Sequence, residues 1–105
     1  MAYDLMVGKD SRDKHAWDVV GAIEFNELPS ISKLLKRNDI FFLHHISNVF
    51  EDQTFSLEEI EQALIDLLPL MASRLLSDER EMLQKLISIL SYAKWKQFVL
   101  YCAAD

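Results

Sequence analysis

Apolar positions recur with a helical period in the middle of the chain: Leu57, Ile60, Leu64, Leu67 and Leu68 fall at i, i+3, i+7, i+10 and i+11, with Glu58, Glu59, Glu61, Gln62 and Asp66 on the other side. The segment Thr54-Phe55-Ser56 in front of them reads as a helix start. Ser56 is placed to accept from the Glu59 amide while the Glu59 carboxylate reaches back, a capping box, and Phe55 is placed to pack on Ile60 as a hydrophobic staple. Pro69 ends or kinks this helix, because its ring would meet the carbonyl of Ile65. It is equally suited to open a second short helix, Leu70 to Leu76.

Downstream, Ser77-Asp78-Glu79 marks another start, with acids in the first turn where the backbone dipole favours them. Leu83, Leu86, Ile87, Leu90 and Ala93 supply a core face, and then the phase changes. Tyr92, Trp95, Phe98, Val99 and Cys102 form a separate stripe, which places a helix break near Ser91; one long helix with two buried faces is the alternative. Upstream, Leu28, Ile31, Leu34 and Leu35 make a short amphipathic helix closed by Lys36-Arg37-Asn38. Residues 39 to 50 fit a helix capped by Asp39 with Phe42, Ile46, Val49 and Phe50 on one face, ahead of a strand at Ile40 to Ile46. Near the N-terminus Tyr3, Leu5 and Val7 alternate with Asp4 and Met6, and Trp17, Val19, Ile23 and Phe25 alternate around Gly21. A hairpin with Gly8 to Lys14 as its connection fits, as does an amphipathic helix over Arg12 to Val20.

Only two glycines and two prolines punctuate the 105 residues, which argues against a meander of short strands. The expectation is a mainly α fold: one compact helical bundle over residues 1–105, with room for a short N-terminal β-hairpin. Half the residues are apolar and 27% charged, the balance of an ordinary globular domain. No apolar run approaches the roughly 20 residues that span a bilayer. No signal-peptide pattern opens the chain, so a cytoplasmic location without membrane attachment is expected. The single cysteine, Cys102, cannot form an internal disulfide and reads as a small buried hydrophobe.

Charge changes the picture. Between Arg37 and Arg74 there is no lysine or arginine, yet the window holds seven carboxylates: Asp39, Glu51, Asp52, Glu58, Glu59, Glu61 and Asp66. The remaining residues sum to +1, so the net −6 resides in this one third of the chain. No base stands at i+3 or i+4 to the helical acids, so repulsion of tenths of a kcal/mol replaces the usual stabilising pairs. A solvated helix face is the plainer explanation. A cationic partner is the other, because complementary fields raise association rates by roughly 10- to 1000-fold.

The search for chemistry returns nothing catalytic. The acids lie on a face that looks solvated rather than in a pocket that would shift their pKa. His15, His44 and His45 lack zinc-type spacing, no basic residue or helix start beside Cys102 is evident to stabilise a thiolate, and Gly8 and Gly21 are too far apart for a phosphate loop. No metal, no cofactor and no enzymatic activity are expected. Nucleic acid is disfavoured as a partner, because the acidic window repels phosphates.

In format, a short, acidic, cysteine-poor chain with carboxylates clustered around FEDQTFSLEEIEQALID resembles the immunity proteins with which bacteria neutralise nuclease toxins of the contact-dependent growth inhibition and colicin types. The resemblance covers the central third by charge pattern and extends to no motif residue by residue. It implies a stoichiometric inhibitor of a basic toxin domain, binding through Glu51, Asp52, Glu58, Glu59, Glu61 and Asp66. Tyr3, Trp17, Tyr92, Trp95 and Tyr101 are the candidate anchoring aromatics. The alternative is an interaction or scaffold module, a homodimer through the apolar stripe of residues 92 to 102.

Overall fold

Alternating burial at both ends of the chain gives the sheet its centre. In the computed structural model, which describes residues 2–9 and 17–104, the chain forms β1 (Ala2–Gly8), β2 (Asp18–Glu24), α1 (Leu28–Arg37), α2 (Phe41–Ile46), β3 (Gln53–Phe55), α3 (Leu57–Leu67), α4 (Ser77–Lys96) and β4 (Val99–Ala103). Short 3₁₀ turns cover Phe25–Glu27 and Leu68–Ala72. The strands lie in the order β2-β1-β4-β3, every neighbouring pair antiparallel.

Cross-strand register puts the apolar side chains on one face. Tyr3 stands opposite Ile23, Leu5 opposite Cys102, and Val7 opposite Leu100, which is itself opposite Phe55. All seven are buried in one hydrophobic cluster with Ile31 and Leu34 of α1, Phe42, Leu43 and Ile46 of α2, Ile60, Leu64 and Leu67 of α3, and Leu83, Leu86 and Leu90 of α4. The helices therefore cover that face, as a half-apolar antiparallel sheet requires. A bulge places Val20 as an extra residue between the Leu5–Gly21 and Met6–Val19 pairs. α4 comes close at Gly21, where a Cβ would stand 3.0 Å from the Ile89 Cδ1 methyl carbon and would require that side chain to shift.

The helical-bundle and all-α expectations are corrected by these strands. Of the described residues 57% are helical and 23% extended, a mixed α/β fold built on a four-stranded antiparallel sheet. The N-terminal hairpin is present, whereas β3 and β4 were not anticipated. No break occurs near Ser91. α4 runs to Lys96 and stops at Gln97, whose left-handed backbone (φ 59°) ends the helix, so the change of phase marks a helix passing into a strand. α3 ends where Pro69 requires, with a 3₁₀ turn following. Leu68, expected in the core, is exposed, as is Phe50. The strand alternative for residues 40 to 46 gives way to α2, with Ile40 rather than Asp39 at its N-cap. The hairpin connection falls partly, and the helix considered over Arg12 to Val20 mostly, outside the described residues. No helix among the described residues is long and apolar enough to cross a membrane.

Ion pairs fasten α1 to the start of α4. Arg37 donates from Nε to Glu79 Oε2 at 2.6 Å and from a terminal nitrogen to Oε1 at 2.9 Å, and the Leu76 amide donates to Oε1 at 2.9 Å. Lys33 and the Ser30 hydroxyl both reach Asp78 Oδ2, at 2.9 and 3.1 Å. Farther along α4, Lys85 binds Glu27 at 3.0 Å. The Glu79 side chain is 2% exposed, so removing its partner would leave a carboxylate shielded from water.

The Arg37 hydrogen bond, helped by the Leu76 amide, holds the Glu79 carboxyl at about 2, below its ordinary 4.5. A depressed pKa contributes stability that is complete above 4.5 and lost as pH falls through about 2. Glu79→Gln is therefore expected to melt lower than the parent at neutral pH, with the gap narrowing steadily as pH drops from 4.5 toward 2. Thermal melts across that range check it, and a gap independent of pH would contradict it.

Candidate functional site

The acidic window divides into carboxylates that hold the fold and carboxylates that face water. Asp52 belongs to the first group: Oδ2 accepts from the Tyr101 hydroxyl at 2.9 Å and Oδ1 from the Ala104 amide at 2.8 Å. It clasps the segment leading into β3 to the end of β4. Glu59 closes the capping box, accepting from the Ser56 amide at 3.0 Å while the Ser56 hydroxyl accepts from the Glu59 amide at 3.2 Å. Asp66, half-buried, accepts from the Gln62 side-chain amide at 2.9 Å one turn back.

Glu51, Glu58 and Glu61 are exposed, and among the described residues none of them has a lysine or arginine within ion-pair distance. Lys33, Arg37 and Lys85 are bound by Asp78, Glu79 and Glu27, acids from outside the window. Glu58 and Glu61 sit one turn apart on α3, close enough to add their fields. Glu51 is held on a different segment, its carbonyl accepting from the buried Tyr3 hydroxyl at 2.7 Å. The six window carboxylates expected at an interface are not gathered at one point: Glu61 and Glu51 line separate hollows.

The hollow at Glu61 is a groove of about 580 Å³ between α3 and the C-terminal half of α4. Its α3 wall carries Glu61 and Ile65, continued by Leu68 of the 3₁₀ turn that follows, and its α4 wall carries Lys94 and Trp95. Apolar exposure here is high for a folded chain: Trp95 75%, Ile65 64% and Leu68 52%. Tyr92 lies beside Trp95, ring centroids 6.2 Å apart, and Lys96 Nζ stands 4.9 Å over the Trp95 ring. The helical period placed Leu68 in the core stripe and left Ile65 unassigned, although a signal was available. They continue the outward row of Glu58 and Glu61 at i+7 and i+10, an apolar pair inside a polar stripe.

Of the aromatic candidates, Tyr3 is buried, Trp17 and Tyr101 are half-buried against each other edge to face at 5.1 Å, and Tyr92 and Trp95 are exposed. The second hollow, about 370 Å³, is lined by His44, His45, Asn48, Glu51 and Gln53. His44 stands 3.6 Å from Asp39, and His45 Nδ1 lies 3.0 Å from the Phe41 carbonyl. Among the described residues no three His, Cys, Asp or Glu side chains converge as a metal site would require, and His15 lies outside them. Burial pushes the Cys102 thiol up to about 12, which keeps it protonated at neutral pH.

The chain matches no known protein-family model, no curated protein and no solved structure.

The division of the acids has a measurable consequence for stability. Asp52→Ala removes the carboxylate to which the Ala104 amide and the Tyr101 hydroxyl donate and is expected to cost about 0.5–1.5 kcal/mol. Glu58→Gln and Glu61→Gln should change stability by no more than about 0.5 kcal/mol. Urea unfolding of the three variants tests this, and equal losses in all three would contradict the division.

Proposed function

We propose that this chain is a non-catalytic binding protein of the toxin-neutralising type, which docks a basic protein through the outward face of α3. The observation that carries the reading is the partition of charge. Lys33 and Arg37 of α1 and Lys85 of α4 are matched to Asp78, Glu79 and Glu27, while Glu58 and Glu61 stand exposed with no lysine or arginine within ion-pair distance among the described residues. A fold that keeps two like charges one turn apart, with no base at ion-pair distance from either, accepts a small loss of stability. Recognition of a cationic surface accounts for that choice.

The mechanism follows from electrostatics and stoichiometry. Glu58 and Glu61, with Glu51 and Asp66 extending the field, attract lysines and arginines that in a nuclease would hold phosphates of its substrate. One copy of this chain occupies that surface and excludes the nucleic acid. Long-range attraction accelerates encounter, and contacts close to the acids set the lifetime of the complex. Asp52 and Glu59 contribute indirectly, by holding β3 and the start of α3 in place.

The test begins with the immobilised chain in native-host lysate at low salt, eluted by a salt gradient. The captured protein is expected to be basic, to bind one to one when purified, and to lose nuclease activity on binding. Stopped-flow mixing should show that the triple variant Glu51→Gln, Glu58→Gln, Glu61→Gln associates at least about tenfold more slowly at low ionic strength, with an unchanged melting curve. Association at the parental rate would overturn the reading.

A further inference from the structure

The same groove carries an arrangement that a purely cationic partner does not satisfy. Its α3 wall is acidic at Glu61, and its α4 wall is basic at Lys94. Neither side chain has an ion-pair partner among the described residues. Between and around them stand Trp95, Ile65 and Leu68, each more than half exposed. A cationic surface would meet Lys94, an anionic one would meet Glu61, and a neutral one would leave both charges desolvated.

We propose that the groove is the seam of a homodimer, in which a second copy of this chain packs about a two-fold axis that runs along the groove. Such an axis exchanges the two walls, so that Glu61 of each copy faces Lys94 of the other. It sets each Trp95 against the Ile65 and Leu68 of the opposite copy. An interface of this kind must be complementary to itself, and a groove with one acidic and one basic wall meets that condition. Each copy carries −6, so the long-range field opposes pairing. Apolar burial and the two local charge contacts must outweigh it, helped by screening over about 8 Å at physiological salt. The seam is of the small, transient class. It goes beyond the cationic-partner reading and shares Glu61 with it, so a partner that engages Glu61 displaces the second copy.

Sedimentation equilibrium of the full chain at physiological salt, from about 1 to about 100 μM, should show a reversible monomer–dimer equilibrium. Trp95→Ala, Glu61→Lys and Lys94→Glu should each weaken it by at least about tenfold, with melting curves unchanged because all three side chains are exposed. The decisive experiment mixes the two charge variants. Neither should self-associate, because each brings like charges together twice, whereas an equimolar mixture should form a heterodimer in which both contacts are again attractive. A parent chain that stays monomeric overturns the dimer and leaves the cationic-partner reading standing. A dimer that tolerates all three substitutions, or charge variants that fail to rescue each other, overturns its placement in this groove.

Discussion

Leu5 faces Cys102 and Val7 faces Leu100 across the hydrogen-bonded seam of β1 and β4, so the first and last strands of the chain meet in the middle of the sheet. Everything between them is a long excursion that must leave and return on the same side. The side is set by alternation, because Tyr3, Leu5, Val7, Leu100 and Cys102 all turn one way and need covering. Four helices supply the cover. α4, the longest, ends at Gln97 in a left-handed turn and feeds β4 within two residues, which fixes the C-terminal half of α4 beside α3. The groove is a product of that geometry: two helices that share a buried flank diverge at their outward sides.

Charge is distributed with the same economy. Bases on α1 and α4 hold the acids at the α1–α4 junction, and two of the window carboxylates, Asp52 and Glu59, accept backbone amides that would otherwise be left at a strand end and a helix start. Of the window carboxylates, Glu58 and Glu61 on α3 and Glu51 before β3 have no lysine or arginine within ion-pair distance among the described residues. An acid that accepts a defined hydrogen bond has a structural reason to be where it is. Among the described residues Glu61 has no such bond and Glu58 has only the favourable dipole of the first helical turn; the proposed contact with another protein would supply a reason for both.

The helices α1 and α3 were legible because each is amphipathic over at least ten residues with a recognisable terminus, the cap at Ser56 and the basic end at Lys36-Arg37. The N-terminal hairpin was legible from alternation at Tyr3, Leu5 and Val7. β4 was not, because five residues continuing an apolar run from a helix carry no periodicity that separates the two states, and only the change of phase at residue 92 hinted at a new element. β3, three residues long, is defined by its pairing to β4 rather than by its own sequence. The acidic window was visible as composition, but which acids stay free depended on contacts 42 to 58 residues away in sequence, such as Arg37 with Glu79 and Lys85 with Glu27. No local pattern encodes those.

The central claim is that the outward face of α3 and the C-terminal half of α4 is where this molecule meets other proteins. Amide hydrogen exchange of the chain, free and bound to the basic protein it captures at low salt, addresses that claim most directly. Added protection is expected on α3 and on residues 91 to 97, with β2 and α1 unchanged. Protection that builds on β2 or α1 and leaves α3 as it was in the free chain would contradict the account.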